Sequence, residues 1–171
     1  GSAGIGLEIV RQLLDAGYAV INLARRPVPI SGAQVTDYEI DLTDRAAVAA
    51  LARSLADSGA GTFIHNAGII RPNLLDDVAL DDLDALNQLH LGAAIQLGQA
   101  LIPGMRADRF GRIVIMSSRP SVAIAPRPTH AATNARPKSE PRPRAPPLAP
   151  DGSTVDAVAP RPLDTPDTFH T

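Results

Sequence analysis

The first six residues, Gly1-Ser2-Ala3-Gly4-Ile5-Gly6, form a glycine-rich turn that runs directly into a predicted amphipathic helix. The apolar side chains that follow keep helical spacing, at Leu7, Val10, Leu13 and Leu14. Glycines let a ligand approach the backbone closely, and a helix N-terminus offers free N–H groups at the positive end of its dipole. The pattern favours a phosphate-binding turn. A glycine turn that only caps a helix would use the same residue types, and the rest of the chain has to decide between the two.

The composition permits one domain with an aliphatic core and excludes several kinds of site. Of 171 residues, 44% are hydrophobic but only 3% are aromatic. The net charge of −2 argues against a basic surface for nucleic acid. The absence of cysteine excludes disulfides and thiolate chemistry. No apolar run reaches the roughly 18 residues of a membrane span, so we expect no membrane partner. The charge predicts no nucleic-acid partner, and the lack of cysteine fits a cytoplasmic location.

Strand and helix patterns alternate along the chain. The first helix is predicted to end near Gly17. A mostly buried strand is expected at 18–23, and further strands are expected at 34–40, 62–65 and 112–116. A second helix is expected after a Thr43 cap, with a stripe of Val48, Leu51 and Leu55, and a long helix over 81–105 that Pro103 bends or ends. This alternation predicts a parallel sheet with helices on both faces and ligands at the carboxyl ends of its strands.

The residues that follow the first predicted strand bear on the choice of nucleotide. In a dinucleotide-binding unit this position faces the adenosine ribose, where an acid selects NAD and an arginine pairs with the 2′-phosphate of NADP. The chain has Ala24 followed by Arg25 and Arg26, which favours NADP(H). Two solvated loop arginines are the alternative.

Five segments, in order, resemble the motifs of the short-chain dehydrogenase/reductase family and cover nearly the whole chain. They are the glycine turn Gly1–Gly6, the adenine-side segment Asp41-Leu42-Thr43-Asp44, Asn66-Ala67-Gly68 with His65 in place of a first asparagine, Gly111–Ser118, and Thr154–Pro160. The chain opens on the first motif, so we expect the strand that precedes it in the family to be missing.

The resemblance implies an α/β, Rossmann-like, doubly wound parallel sheet in a single domain over residues 1–171. It also implies an NAD(P)(H)-dependent oxidoreductase that moves hydride between nicotinamide and a small carbonyl or alcohol substrate. The residues that would line the cofactor are Gly1, Ser2, Gly4, Ile5, Gly6, Arg25, Arg26, Asp41, Leu42, Asn66, Ala67 and Gly68.

The family's catalytic groups are a serine that polarises the substrate oxygen, a tyrosine that moves the proton, a lysine four residues later and a helical asparagine that holds a water. The resemblance assigns these positions to Ser118, His130, Asn134 and His90, so three of the four groups are replaced. Asn134 carries no charge and cannot lower a neighbour's pKa. We therefore expect little or no family activity, with drift at the two histidines preferred to a new histidine mechanism. The histidine spacing predicts no metal site.

Residues 119–150 contradict the helix that the family has after its active site. The stretch Ala135–Pro150 contains six prolines, and each costs about 3 kcal/mol inside a helix. The length of the stretch still matches the family, which indicates degeneration in place or an erroneous sequence. Because the family helix usually forms a dimer interface, its loss predicts an impaired homo-oligomer. The segment Pro143-Arg144-Ala145-Pro146 fits a proline-rich docking motif. The alternative functions are therefore a non-catalytic nucleotide-binding or interaction module, or a chain that does not fold stably.

Overall fold

The computed structural model describes residues 1–30, 32, 34–69, 77–117 and 151–160. These residues fall into two units, one covering Gly1–Leu42 and the other the described residues from Thr43 onward. Strands pair in parallel within both units, as the strand and helix alternation predicts. The organisation of residues 1–171 as a single domain stays a prediction.

The first unit consists of helix α1 (Gly4–Asp15) and the strands β1 (Val20–Ala24) and β2 (Val35–Glu39). The predicted end of the helix near Gly17 is confirmed, because Gly17 has a φ of +85° and its N–H bonds the Leu14 carbonyl at 2.9 Å. The apolar core of this unit is formed by Val10, Val28 and Leu42.

The prediction that the first strand is mostly buried is wrong. Asn22 is the buried residue of β1, whereas 39% of Ile21 remains exposed. Side chains alternate between the two faces of a strand, and α1 packs on the face that carries Asn22, so Ile21 points to the other face. The one buried side chain of β1 is therefore polar.

Helix α2 (Arg45–Leu55) opens the second unit, and its cap corrects the sequence prediction. The carboxylate of Asp44, rather than the Thr43 hydroxyl, accepts the N–H groups of Ala46 and Ala47 at 2.9 and 3.0 Å. An aspartate satisfies the orphan donors of the first turn as well as threonine does, and Asp44 stands next to the first helical residue. The start of α2 is thereby placed one residue later than predicted.

Three parallel strands follow in the order β3 (Thr62–His65), β4 (Gly111–Met116) and β5 (Ser153–Val158), with β4 in the centre. Thr62 pairs with Arg112, and Gly111 pairs with Ser153. Because the strands run the same way, their carboxyl ends lie side by side at one edge. Residues 65–69, Ser117 and Ala159 are therefore neighbours at that edge.

The long predicted helix is correct in extent but not in regularity. It consists of α3 (Leu80–Asn87), a π-type turn at Gln88–Gly92 and α4 (Ala93–Ala107). In the π turn the N–H of Ala93 bonds the carbonyl of Gln88, five residues back. Such wide turns are often found at functional sites.

Of the end or bend predicted at Pro103, the end is wrong, because α4 continues through this proline to Ala107, and the bend stays a prediction. A proline inside a helix costs about 3 kcal/mol. Leu101 and Met105 on either side are 8% and 2% exposed, and burying two such side chains gains roughly 1.5–3 kcal/mol each. Burial in the core therefore outweighs the lost hydrogen bond.

The helices of this unit share one apolar core. Helix α2 packs against α4, and the buried side chains are Val48, Ala52, Leu55, Leu86, Leu89, Ala93, Leu97, Leu101 and Met105. The stripe predicted for the second helix is confirmed at Val48 and Leu55, with Ala52 buried in place of Leu51.

A closed ring of hydrogen bonds among Arg45, Gln88 and Gln96, called the polar ring below, fastens the π turn to the start of α2. Arg45 Nε donates to Gln88 Oε1 at 3.1 Å, and Gln88 Nε2 donates to Gln96 Oε1 at 3.0 Å. Gln96 Nε2 closes the ring by donating to the Arg45 carbonyl at 3.1 Å. Gln88 is only 5% exposed, so losing its partners would cost about 1–3 kcal/mol.

The last residue of β3, His65, is buried near the π turn. It is 4% exposed, its ring centroid lies 6.2 Å from that of Phe63, and its Nε2 has no hydrogen-bond partner among the described residues. Burial lowers the pKa of His65 from its usual 6.5, while the carbonyls of Leu89 and His90 favour the charged form more weakly. The neutral imidazole is therefore the form that the fold favours.

We expect Gly92→Ala to lower the free energy of unfolding by about 1–2 kcal/mol. A Cβ at this position would overlap Gln88 Oε1 and lie 2.8 Å from Gln88 Cδ, which displaces the amide from the polar ring. The matched control is Gly98→Ala in α4, where no atom of the described residues lies within 4 Å of the added Cβ. The control should gain up to about 1 kcal/mol from helix propensity. Equal effects of the two changes in urea unfolding would contradict the role of the ring.

We expect acidification to destabilise the fold through His65. The unfolded imidazole takes up a proton below about pH 6.5 and the folded one resists, so the unfolding free energy falls as pH drops below about 6.5. His65→Asn, which inserts the family residue, removes this contribution. The free energy of unfolding in urea should therefore fall less for the variant than for the unaltered chain between about pH 7.5 and about pH 5.5. Parallel curves would mean that His65 is not the group responsible.

Candidate functional site

The glycine turn of the first unit leaves the N-terminus of α1 open to an anion. Gly4 begins the helix with a φ of +53°, in the left-handed region that favours glycine. Ala3 at the N-cap makes no side-chain capping bond, and the first turn carries no acidic residue. Four N–H groups at a helix start lack partners within the helix. These N–H groups and the positive dipole end are suited to a phosphate.

The same turn packs tightly on β1. A Cβ at Gly1 would lie 2.7 Å from Asn22 Oδ1 and 2.9 Å from Val10 Cγ2. Only a residue without a side chain fits there. The turn is thus held against both the buried polar residue of β1 and the apolar Val10 of α1.

The carboxyl ends of β1 and β2 bring the predicted nucleotide-side residues of this unit to one edge. Arg25 and Arg26 follow β1 and are exposed. Asp41, also exposed, and Leu42, 7% exposed, follow β2. The parallel pairing of Ala24 with Glu39 makes these two groups neighbours along the sheet edge. Their contact with a cofactor stays a prediction.

The corresponding edge of the second unit carries Asn66, Ala67 and Gly68 after β3, and Ser117 after β4. Asn66 and Ala67 are half-buried and Gly68 is exposed. Ser117 is 6% exposed, and its N–H bonds the Val158 carbonyl at 2.7 Å. The end of β4 is therefore held between β3 and β5.

His90, in the middle of the π turn, holds the loop after β3. It is 5% exposed, and its Nε2 accepts a hydrogen bond from the Ile69 N–H at 3.3 Å. An imidazole nitrogen that accepts is unprotonated, so Nδ1 carries the proton in the neutral ring. The side chain thereby joins the helix to Ile69, and whether the catalytic role of this position has drifted stays a prediction.

The other predicted catalytic residues, Ser118, His130 and Asn134, lie outside the described residues, as do the proline-rich stretch 119–150 and the end of the chain from residue 161. Their roles stay predictions. Among the described residues, no group of three or more histidine, cysteine, aspartate or glutamate side chains is placed to hold a metal ion. No helix in that part of the chain has the length and hydropathy needed to cross a membrane.

Sequence reasoning missed a polar pair between β1 and β2, in which Asn22 is buried and Asp37 is exposed. Asn22 Nδ2 donates to Asp37 Oδ1 at 2.6 Å, and the same oxygen accepts the Val28 N–H at 3.1 Å. A signal was present, because Asn22 interrupts an apolar strand and Asp37 lies inside another. A buried polar group needs a partner, but the partner follows from the strand register.

Comparisons with known proteins agree with this arrangement. A family model of short chain dehydrogenases matches residues 1–169. The chain is 35% identical over 143 residues to an uncharacterized oxidoreductase of Mycobacterium tuberculosis, covering 74% of the chain and 42% of that relative. It is 29% identical to the 3-oxoacyl-(acyl-carrier-protein) reductase of Vibrio cholerae, covering 96% of the chain and 71% of the relative. The chain thus spans about two fifths of the length of the Mycobacterium protein.

Solved structures give the same result. A short-chain dehydrogenase from Streptomyces avermitilis superposes with a TM-score of 0.83 at 28% identity, covering 93% of this chain and 62% of that one. The L-sorbose reductase of Gluconobacter frateurii, complexed with NADPH and L-sorbose, gives a TM-score of 0.85 at 25% identity, covering 97% and 68%. The fold is therefore α/β and Rossmann-like, with parallel strands. With its glycine turn at the start of α1 and a family match over nearly its full length, the chain belongs to the short-chain dehydrogenase/reductase family.

Proposed function

We propose that this chain binds NADP(H) in preference to NAD(H), within an oxidoreductase that acts on a small carbonyl or alcohol. The observation that carries the proposal is the combination, in one unit, of an uncapped helix N-terminus behind Gly1–Gly6 and an exposed arginine pair at the end of β1. The first is suited to a pyrophosphate and the second to a 2′-phosphate. The NADPH bound by the L-sorbose reductase supports the same choice.

The residues that would hold the cofactor suit its chemistry. N–H groups of the glycine turn would bind the pyrophosphate, Arg25 and Arg26 would pair with the 2′-phosphate, and Asp41 would lie beside the adenine. Asn66, Ala67 and Gly68 are further proposed cofactor residues, on the family motif that they match. When bound, nicotinamide supplies or accepts the hydride, and the chain's own part is to orient it and to handle the substrate proton.

The proton-handling groups set the expected level of activity. Ser118 would polarise the substrate oxygen, while His130 and Asn134 stand at the tyrosine and lysine positions. Loss of one positioned acid or base costs typically 10² to 10⁴ in rate. We therefore propose a cofactor-binding chain with weak turnover.

The alternative is a non-catalytic nucleotide-binding module, and one contact favours it. The family asparagine holds a water, whereas His90 uses its Nε2 for the Ile69 N–H. The ring nitrogen thus holds a loop. A module of this kind would bind the cofactor without turning over any substrate.

We expect calorimetric titration to give saturable binding of NADPH, at least about tenfold tighter than NADH. Charge-assisted bonds contribute about 1.5–3 kcal/mol each, so Arg25→Ala with Arg26→Ala should weaken NADPH about tenfold to a hundredfold and leave NADH nearly unchanged. The matched control is Arg11→Ala. Arg11 is an exposed residue of α1, and its Nη1 lies 3.9 Å from Glu8 Oε2. Equal affinity for both cofactors in the unaltered chain, or equal losses for both in the double variant, would contradict the preference for NADP(H).

We expect His130→Tyr with Asn134→Lys to raise NADPH oxidation with a panel of carbonyl compounds by about 10² or more, because it restores the acid and the cation. The readout is the absorbance of reduced nicotinamide at saturating cofactor. Adding Ser118→Ala to the restored chain should remove most of the gain. Binding of NADPH without any gain in turnover would favour the non-catalytic module.

A further inference from the structure

The arginine pair of the first unit lies between two fixed points of the backbone. Before it, Ala24 ends β1, pairs with Glu39 and accepts the Ile40 N–H at 2.9 Å. After it, Val28 is 6% exposed, and its N–H bonds the Asp37 carboxylate. Only residues 25–27 stand between these anchors, so the backbone that carries both guanidinium groups is held at each end.

Proline narrows the freedom of this short segment further. Pro27 fixes its own φ and excludes the helical region for Arg26, which is pushed to an extended conformation. Immobilising a flexible segment on binding costs free energy that a preorganised one does not lose. The arginines are thus presented on a stiff backbone while their side chains remain exposed.

The downstream anchor depends on a single carboxylate oxygen. Asp37 Oδ1 accepts both the Val28 N–H at 3.1 Å and the Asn22 amide at 2.6 Å. Asn22 and Asp37 are direct partners in the register of β1 and β2, and Asn22 is 4% exposed. The oxygen therefore ties the loop to the buried centre of the strand pair, on which the glycine turn also packs.

The charge of Asp37 is not what this arrangement requires. A negative charge near the arginines would compete with an anionic ligand for them. Aspartate is also disfavoured within strands. The feature that the geometry uses is an acceptor oxygen of the right reach, which an asparagine side chain also carries.

We propose that Asp37 is a positioning residue for cofactor selection, which holds the Arg25–Arg26 segment in the conformation that receives a 2′-phosphate. The inference rests on the proposed preference for NADP(H). By this inference, part of the discrimination between NADP(H) and NAD(H) depends on a residue of the neighbouring strand β2, which is distant from the arginines in sequence.

The test compares Asp37→Ala with Asp37→Asn in the full chain, by titration with NADPH and with NADH. The alanine variant should weaken NADPH about tenfold and NADH less than about threefold, and the asparagine variant should stay within about threefold of the unaltered chain for both. Glu39→Ala, which removes an exposed carboxylate from the same strand, is the matched control for charge and should leave both affinities unchanged. Amide hydrogen exchange at Val28 should accelerate in Asp37→Ala alone, and thermal unfolding verifies that each variant is folded.

The possible failures are distinguishable. If the unaltered chain does not prefer NADPH, the proposed cofactor and this inference both fall. If it prefers NADPH and Asp37→Ala keeps that preference, the inference alone is overturned. Parallel losses of NADPH and NADH, or equal effects of alanine and asparagine, would likewise overturn it, because they indicate a general structural role or a role of charge.

Discussion

Parallel pairing of strands is the constraint on which the rest of this structure depends. When neighbouring strands run in the same direction, every loop that leaves a carboxyl end emerges at the same edge, however far apart those loops are in sequence. In the first unit this brings the residues after β1 and after β2 together, and in the second unit it aligns the loops after β3, β4 and β5. The polar residues of the chain that carry nucleotide chemistry in the family are concentrated at these loops.

Buried polar groups fix the details that the apolar core leaves open. Leucine and valine side chains specify which faces pack, but they tolerate small shifts of one element along another. The polar ring, the Asn22–Asp37 pair and the bond between His90 and Ile69 each contain one buried side chain, and leaving such a side chain without its partner is costly. The bonds to the N–H groups of Val28 and Ile69 hold loop residues that follow β1 and β3.

Local periodicity predicts most of the regular elements but not the polar contacts behind them. The glycine turn, the end of α1, the strands β3 and β4 and the family resemblance could all be recognised from short patterns of residue type. The Asn22–Asp37 pair could not, because it depends on which residue of β2 lies opposite Asn22. The π turn was also missed, since Leu86, Leu89 and Ala93 fit a regular helix equally well and the extra residue is revealed only by the hydrogen bonds. Pro103 was overrated as a boundary because its cost was weighed without the burial of its neighbours.

The wide turn at Gln88–Gly92 determines how this part of the chain tolerates changes in length. Each residue of an α-helix advances the chain by about 100° around the axis. Deleting one residue from the turn would let the Ala93 N–H reach the Gln88 carbonyl across four residues instead of five, so the helix from Ala93 onward would keep its orientation. The buried side chains of Leu97, Leu101 and Met105 would then stay in the core. A deletion inside α4 has no wide turn to absorb it, and it would rotate every helical residue that follows by about 100°.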